Sequence, residues 1–177
     1  AECASKNTYI PNDLLTRMVT LLLANGLLAE AKAILAKAQP NSEPTAVAEL
    51  AILRKRTGEF KKAYGLFSSI LPYVNTQDRV LNEYADLLFR MAHNARNEKR
   101  IDPANRLFQE SLEAYQRCVL LTSDDKRKGW CWYRVALVSS LLGHKAGTVR
   151  SAFEEAMALL PNEPVVLNAF NTWEKKL

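Results

Sequence analysis

Residues Gly58–Pro72 read GEFKKAYGLFSSILP, and 32 residues earlier, from Asn25 to Pro40, the chain reads NGLLAEAKAILAKAQP. Gly26 stands where Gly58 does, Ala31 where Ala63 does, Leu35 where Phe67 does and Pro40 where Pro72 does. Self-similarity at a fixed period of this length marks stacked helical units, each too small to bury its own apolar face. Apolar residues recur at helical spacing in both copies: Ala31, Ile34, Leu35 and Ala38 in the first, Ala63, Leu66, Phe67 and Ile70 in the second. Small side chains at Ala31 and Ala63 let two antiparallel helices approach closely, and Leu35 or Phe67 fills the space one turn later.

Working outward, the helix before each of these segments is also legible. Leu15, Met18, Val19 and Leu22 form one stripe, with Asn12 or Asp13 expected as its cap and Asn25-Gly26 as its stop. Pro44 opens the next helix, which carries Val47, Leu50 and Ala51 up to the turn at Gly58. Pro40 and Pro72 are expected to end the second helix of each pair. A third pair starts with Thr76 as cap and continues through Leu81, Tyr84, Ala85 and Leu88. No glycine follows. The polar segment HNARNEKRID leads to Asp102-Pro103, a cap and first-turn pair, and then to Leu107, Phe108, Leu112, Tyr115 and Val119. The extra length predicts two lengthened helices and a projecting turn around 97–102. A fourth pair runs from Trp130 through Tyr133, Ala136 and Leu137 to Gly143, and returns through Val149, Phe153 and Ala156 to Pro161. Val166, Phe170, Trp173 and Leu177 then mark a closing helix able to cover the last apolar face.

Composition agrees with a packed helical protein: 48% of residues are hydrophobic, against 6 glycines and 7 prolines. A net charge of +5 is compatible with an acidic partner or with nucleic acid, and solubility alone accounts for it equally well. Cys3, Cys118 and Cys131 show no metal or redox spacing, and their odd number points to a reducing, cytoplasmic compartment. The most apolar run, MVTLLLANGLLAEA, is interrupted by Thr20, Asn25, Gly26 and Glu30 and falls short of the roughly 20 residues a membrane span needs. The chain opens on Ala1 and not on methionine, which reads as a trimmed or processed product. His93 and His144 stand apart, and no nucleophile with a base, phosphate loop or metal motif is present. The expectation is a protein that is not an enzyme, with no cofactor, metal or catalytic residue.

With Tyr133, Ala136, Leu137, Phe153, Ala156 and Pro161 in one unit, the chain resembles the tetratricopeptide repeat family. Gly26, Ala31, Leu35 and Ala38, and then Gly58, Ala63, Phe67 and Ile70, carry the same likeness. It implies an all-α fold of antiparallel helix pairs stacked as a right-handed superhelical α-solenoid. One repeat domain would fill 1–177: a lead-in at 1–11, repeats at about 12–43, 44–77, 78–129 with an insertion and 130–162, and a closing helix at 163–177. The C-terminal third is also similar to the half-a-tetratricopeptide pattern of RNA-processing scaffolds, through Arg150, Phe153, Glu154, Ala156 and Pro161.

The resemblance further implies that the first helix of each pair lines a concave groove holding an extended peptide or a partner helix. Its lining should lie off the core stripe, at Thr16, Thr20, Ala48, Ile52, Lys55, Asn82, Asp86, Arg90, Arg134 and Val138. Asn82 and Asp86 would meet a peptide backbone, and Arg90 and Arg134 its carboxylates. Thr16, Thr20 and Glu49 occupy slots where relatives that grip chaperone C-termini carry their two-carboxylate clamp, which disfavours that partner. The expected partner is therefore a protein or peptide. RNA contact is the alternative, through the basic clusters at Arg54-Lys55-Arg56 with Lys61-Lys62, at Arg96, Lys99 and Arg100, and at Lys126-Arg127-Lys128. Ordinary solvated turns explain those clusters as readily. Tyr133 and Trp130 share a helix face and read as core, leaving Trp132 as the aromatic to watch for exposure.

Overall fold

The computed structural model describes residues 11–38 and 43–177, and among them every regular element is an α-helix. Two compact units divide the chain, one up to Tyr73 and one from Val74 to Leu177. None of the described helices is long and apolar enough to cross a membrane.

The first unit holds α1 (Asn12–Ala24), α2 (Leu28–Lys37), α3 (Pro44–Arg56) and all but the last residue of α4 (Phe60–Val74). Helix α1 lies against both α2 and α3. The stripes read from the sequence meet in one core of Leu15, Val19, Ala31, Leu35, Leu50 and Leu53, with Ile34, Ala38 and Leu66 packed against it. Arg54 ties successive pairs together: one guanidinium nitrogen donates to the Leu35 carbonyl at 2.9 Å and the other pairs with Glu59 at 2.9 Å.

The second unit holds α5 (Asp78–Asn97), α6 (Ile101–Leu121), α7 (Asp125–Leu141), α8 (Ala146–Leu159) and α9 (Pro164–Glu174). Each of these packs on the next in chain order. Ala85, Ala92, Ala104, Ala136 and Ala156 are fully buried, as close helix contacts require. The Ser111 hydroxyl donates to the Ala85 carbonyl at 2.8 Å, satisfying a polar group inside the α5–α6 contact. Gly129 leaves no room for a side chain, since a Cβ there would lie 2.6 Å from Leu160 Cγ.

One turn geometry recurs inside all four pairs. Gly26, Gly58 and Gly143 adopt φ of 73°, 79° and 73°, and Lys99 adopts φ 61° in the third pair. After each, the next amide donates back across the turn: Leu27 to Leu22 O (2.8 Å), Glu59 to Arg54 O (2.9 Å), Arg100 to Ala95 O (2.9 Å) and His144 to Ser139 O (3.0 Å). This is the Schellman arrangement that satisfies the last carbonyls of a helix. The third pair thus follows the common plan without the glycine, and its helices have the expected extra length, 20 and 21 residues.

Several boundaries differ from expectation. Pro72 lies inside α4 and does not end it. It removes the helical donor to the Ser68 carbonyl, but Ser68 is exposed and water can serve it. Pro40 lies outside the described residues. Pro11, Gln77 and Arg100 precede α1, α5 and α6, without side-chain capping bonds, so neither Thr76 nor Asp102 is a cap. Asp13, Asp78 and Asp102 sit instead in first turns, where their charge favours the helix dipole. Helix α7 begins well before Trp130, because Asp124 accepts from the Arg127 amide at 3.0 Å and caps it. Lys126, Arg127 and Lys128 therefore belong to its first turns.

Candidate functional site

Helix periodicity puts Asn82, Asp86, Phe89 and His93 on one face of α5 and Arg134, Leu137 and Leu141 on one face of α7. Together with Asn168, Thr172, Trp173 and Lys176 at the C-terminal end, the later members of these stripes enclose a cleft of about 470 Å³. Its walls are Phe89, His93, Leu137, Leu141, Phe153 and Trp173, and its polar groups are Ser140, Asn168, Thr172 and Lys176.

An aromatic cluster holds the back wall. The fully buried Phe153 ring lies 5.6 Å from Phe170, 5.7 Å from Trp173 and 6.5 Å from Tyr133. Arg150 spans α8 and α9, pairing with Glu174 at 2.9 Å. On the opposite wall His93 meets Phe89 and Phe108 edge to face, with centroids 4.5 and 5.1 Å away. Burial, and then the neighbouring Arg96 and Arg134 cations, depress its pKa. At neutral pH it is therefore an uncharged imidazole.

Beside the cleft, Asp86 accepts from Arg90 Nε at 2.9 Å and lies 3.8 Å from Arg134. The Arg134 guanidinium is stacked 4.8 Å from the centroid of Phe89, a wall residue of the cleft, in a cation–π contact that fixes its position.

The sequence-derived groove residues divide into three groups. Asn82, Asp86, Arg90 and Arg134 come together on the α5–α7 face, although both arginines already have Asp86 as a partner. Thr20 is exposed, while Thr16 borders a separate hollow with Asp13, Arg17 and Glu49. Ala48, Ile52, Lys55 and Val138 are buried and present no groove surface, which corrects their assignment. Helices α3 and α7 are buried around most of their circumference, so a step off the core stripe does not reach solvent.

Phe89 and His93 were missed, although extending the Asn82–Asp86 stripe by two further steps would have found them. Leu137 read as core and Trp173 as closing helix, and neither pattern reveals that the contact leaves an opening. Cys118 and Cys131 are buried with sulfurs 3.0 Å apart, a pairing that their separation along two helices gives no reason to expect. The Cys118 contact and burial push the Cys131 thiol pKa up.

Several cations of the three basic clusters are paired within the chain. Arg54 and Lys62 both serve Glu59, Arg100 pairs with Glu98 at 2.6 Å, and Arg127 reaches Asp78 at 2.6 Å. Thr122 and Arg127 hold the Asp78 carboxyl below its usual range. Tyr133 is buried, and Trp130 and Trp132 are half-buried.

The chain matches no protein-family model and no curated protein. Among solved structures it is similar to BtubC (BKLC) from P. vanneervenii, at 16% identity over 85% of this chain and with a TM-score of 0.50. It spans 63% of that chain's length. A second structure, the MamA RS-1 ArsTM double mutant, aligns at 15% identity over 87% of this chain and 97% of the other, with a TM-score of 0.40. At such identities the likeness to BtubC bears on fold alone, and with the helix pairs described above the chain is an all-α helical-repeat protein of the α-solenoid kind.

Proposed function

We propose that this chain is a protein-interaction scaffold of the tetratricopeptide-repeat type, forming one array and holding an extended peptide or a partner helix within a larger protein or assembly. The observation that carries the reading is the apolar cleft walled by α5 and α7, the leading helices of the third and fourth pairs, and by the closing helix α9, with Arg134 held over the Phe89 ring beside it. Preorganisation is the mechanism. Rings and charges already packed in place lose little freedom when a partner arrives, so less binding energy is spent on ordering the receptor. The RNA-scaffold reading draws less support, because Arg54, Lys62, Arg100 and Arg127 are committed to carboxylates of this chain.

Ala169 also lines the cleft, and the test is affinity purification from extracts of the source organism, with the wild type, Ala169→Trp, and Asn82→Ala with Asp86→Ala beside the cleft. Protein partners should survive nuclease treatment and be lost from the Ala169→Trp variant. Partners that all remain bound to both variants, or a bound fraction consisting only of RNA, would remove the proposal.

A further inference from the structure

Resting on the groove reading, we infer that the cleft takes a peptide segment bearing one bulky apolar side chain with carboxylates beside it. The apolar part follows from the walls. Phe89, Leu137, Leu141, Phe153 and Trp173 surround about 470 Å³, a volume in the range of pockets that bury a ligand's apolar surface. A polar or small side chain would leave those walls in water.

The acidic part follows from the charges around the mouth. Lys176 lines the cleft, and Arg134 stands over Phe89. Arg96 lies about one turn beyond His93 on α5, and Arg90 pairs with Asp86 at 2.9 Å. Asp86 offsets part of this charge by pairing with Arg90 and Arg134, Glu174 is paired with Arg150, and Lys176 lies in the cleft lining itself. His93 adds no further positive charge at neutral pH, but as a neutral ring it donates one hydrogen bond. Carboxylates are thus attracted to this rim, and basic side chains are repelled.

A peptide, and not a free small acid, is favoured by the polar groups that continue from the cleft. The Asn168 side-chain amide offers both a donor and an acceptor to an extended backbone. Asn82 and Asp86 carry the same α5 face onward, so a chain leaving the cleft meets further polar groups at one-turn intervals.

The experiment pans a displayed library of random dodecapeptides on the full chain, on Ala169→Trp and on Lys176→Glu. Matching thermal transitions would establish that the variants are folded, and Lys176 is exposed, so its reversal leaves the packing untouched. Enriched peptides should share a Leu, Phe or Trp with Asp or Glu within three residues, and should be lost on Ala169→Trp. Replacing the apolar anchor by Ala in the best peptide should weaken binding at least roughly tenfold by fluorescence anisotropy. Lys176→Glu should weaken it about three- to tenfold, and a Lys-flanked version of the peptide should bind that variant better than the wild type. Enriched peptides with basic flanks, or with no shared bulky apolar residue, would overturn the inference. Peptides that bind Ala169→Trp as well as the wild type would also overturn it while leaving a scaffold role elsewhere on the chain intact. Failure to enrich any peptide would remove the peptide groove itself.

Discussion

Phe153→Ala should release α9 before it disturbs the rest of the chain. Phe153 is fully buried, and truncating such a ring costs about 3–5 kcal/mol. Helix α9 has little else to hold it. Val166, its one fully buried residue, contributes about 1.5 kcal/mol, and the half-buried Phe170 and Trp173 about 1 kcal/mol each. The half-exposed Arg150–Glu174 pair adds at most about 1 kcal/mol. These add to about 4 kcal/mol, and both rings make their closest aromatic contact outside α9 with Phe153 itself. The loss is therefore as large as the docking energy, and in a repeat array each unit answers mainly to its neighbours. Native-state hydrogen exchange with mass spectrometry reads this directly. Peptides covering 164–174 should lose protection in the variant, while those covering α1 to α3 in the other compact unit keep theirs. Phe153→Leu, which keeps most of the volume, should cost less than about 1.5 kcal/mol and leave α9 protected. The reasoning fails if α9 in Phe153→Ala exchanges as slowly as in the wild type, or if protection falls equally in both units.

Lys99→Gly should raise stability by about 1 kcal/mol, because a side chain at φ 61° carries a steric penalty that glycine does not; an unchanged or lower urea midpoint would contradict this. Gly129→Ala should lower it: overpacking against Leu160 costs about 1–3 kcal/mol, which outweighs the roughly 1 kcal/mol gained in helix propensity. A raised midpoint for that variant would mean that Leu160 yields freely. His93 makes the fold acid-sensitive in a definite direction. Its folded pKa lies below the ordinary 6.5, so the unfolded chain takes up the proton first, and its contribution is intact above about pH 6.5 and lost as pH falls through the folded value. Denaturation midpoints measured from pH 7 to pH 5 should fall less steeply for His93→Gln, and identical slopes would rule the effect out.

The helix pairs were legible because their causes are local. A glycine that accepts positive φ, a small residue at the crossing and apolar residues every third or fourth position each leave a mark in one short stretch, and Gly26, Gly58 and Gly143 all turn as read. Lys99 takes the same turn without that mark, since packing of the long α5 and α6 stripes holds the turn where propensity alone would not. Caps at Thr76 and Asp102 and the stop at Pro72 were misplaced because each was weighed alone, whereas neighbouring contacts set where a helix begins and ends.

The amino-acid sequence by itself determined the all-α class, the pairing of successive helices and the stripes that meet in the core. Only the tertiary structure decided which faces remain open. Ala48, Ile52, Lys55 and Val138 satisfy the same periodicity as accessible positions, yet they are covered. Phe89, Leu137 and Trp173 carry apolar side chains as any core residue does, yet they line a cleft. Periodicity reports which side of a helix is apolar, whereas exposure depends on how far the neighbouring helices extend and how large their side chains are at the point of contact.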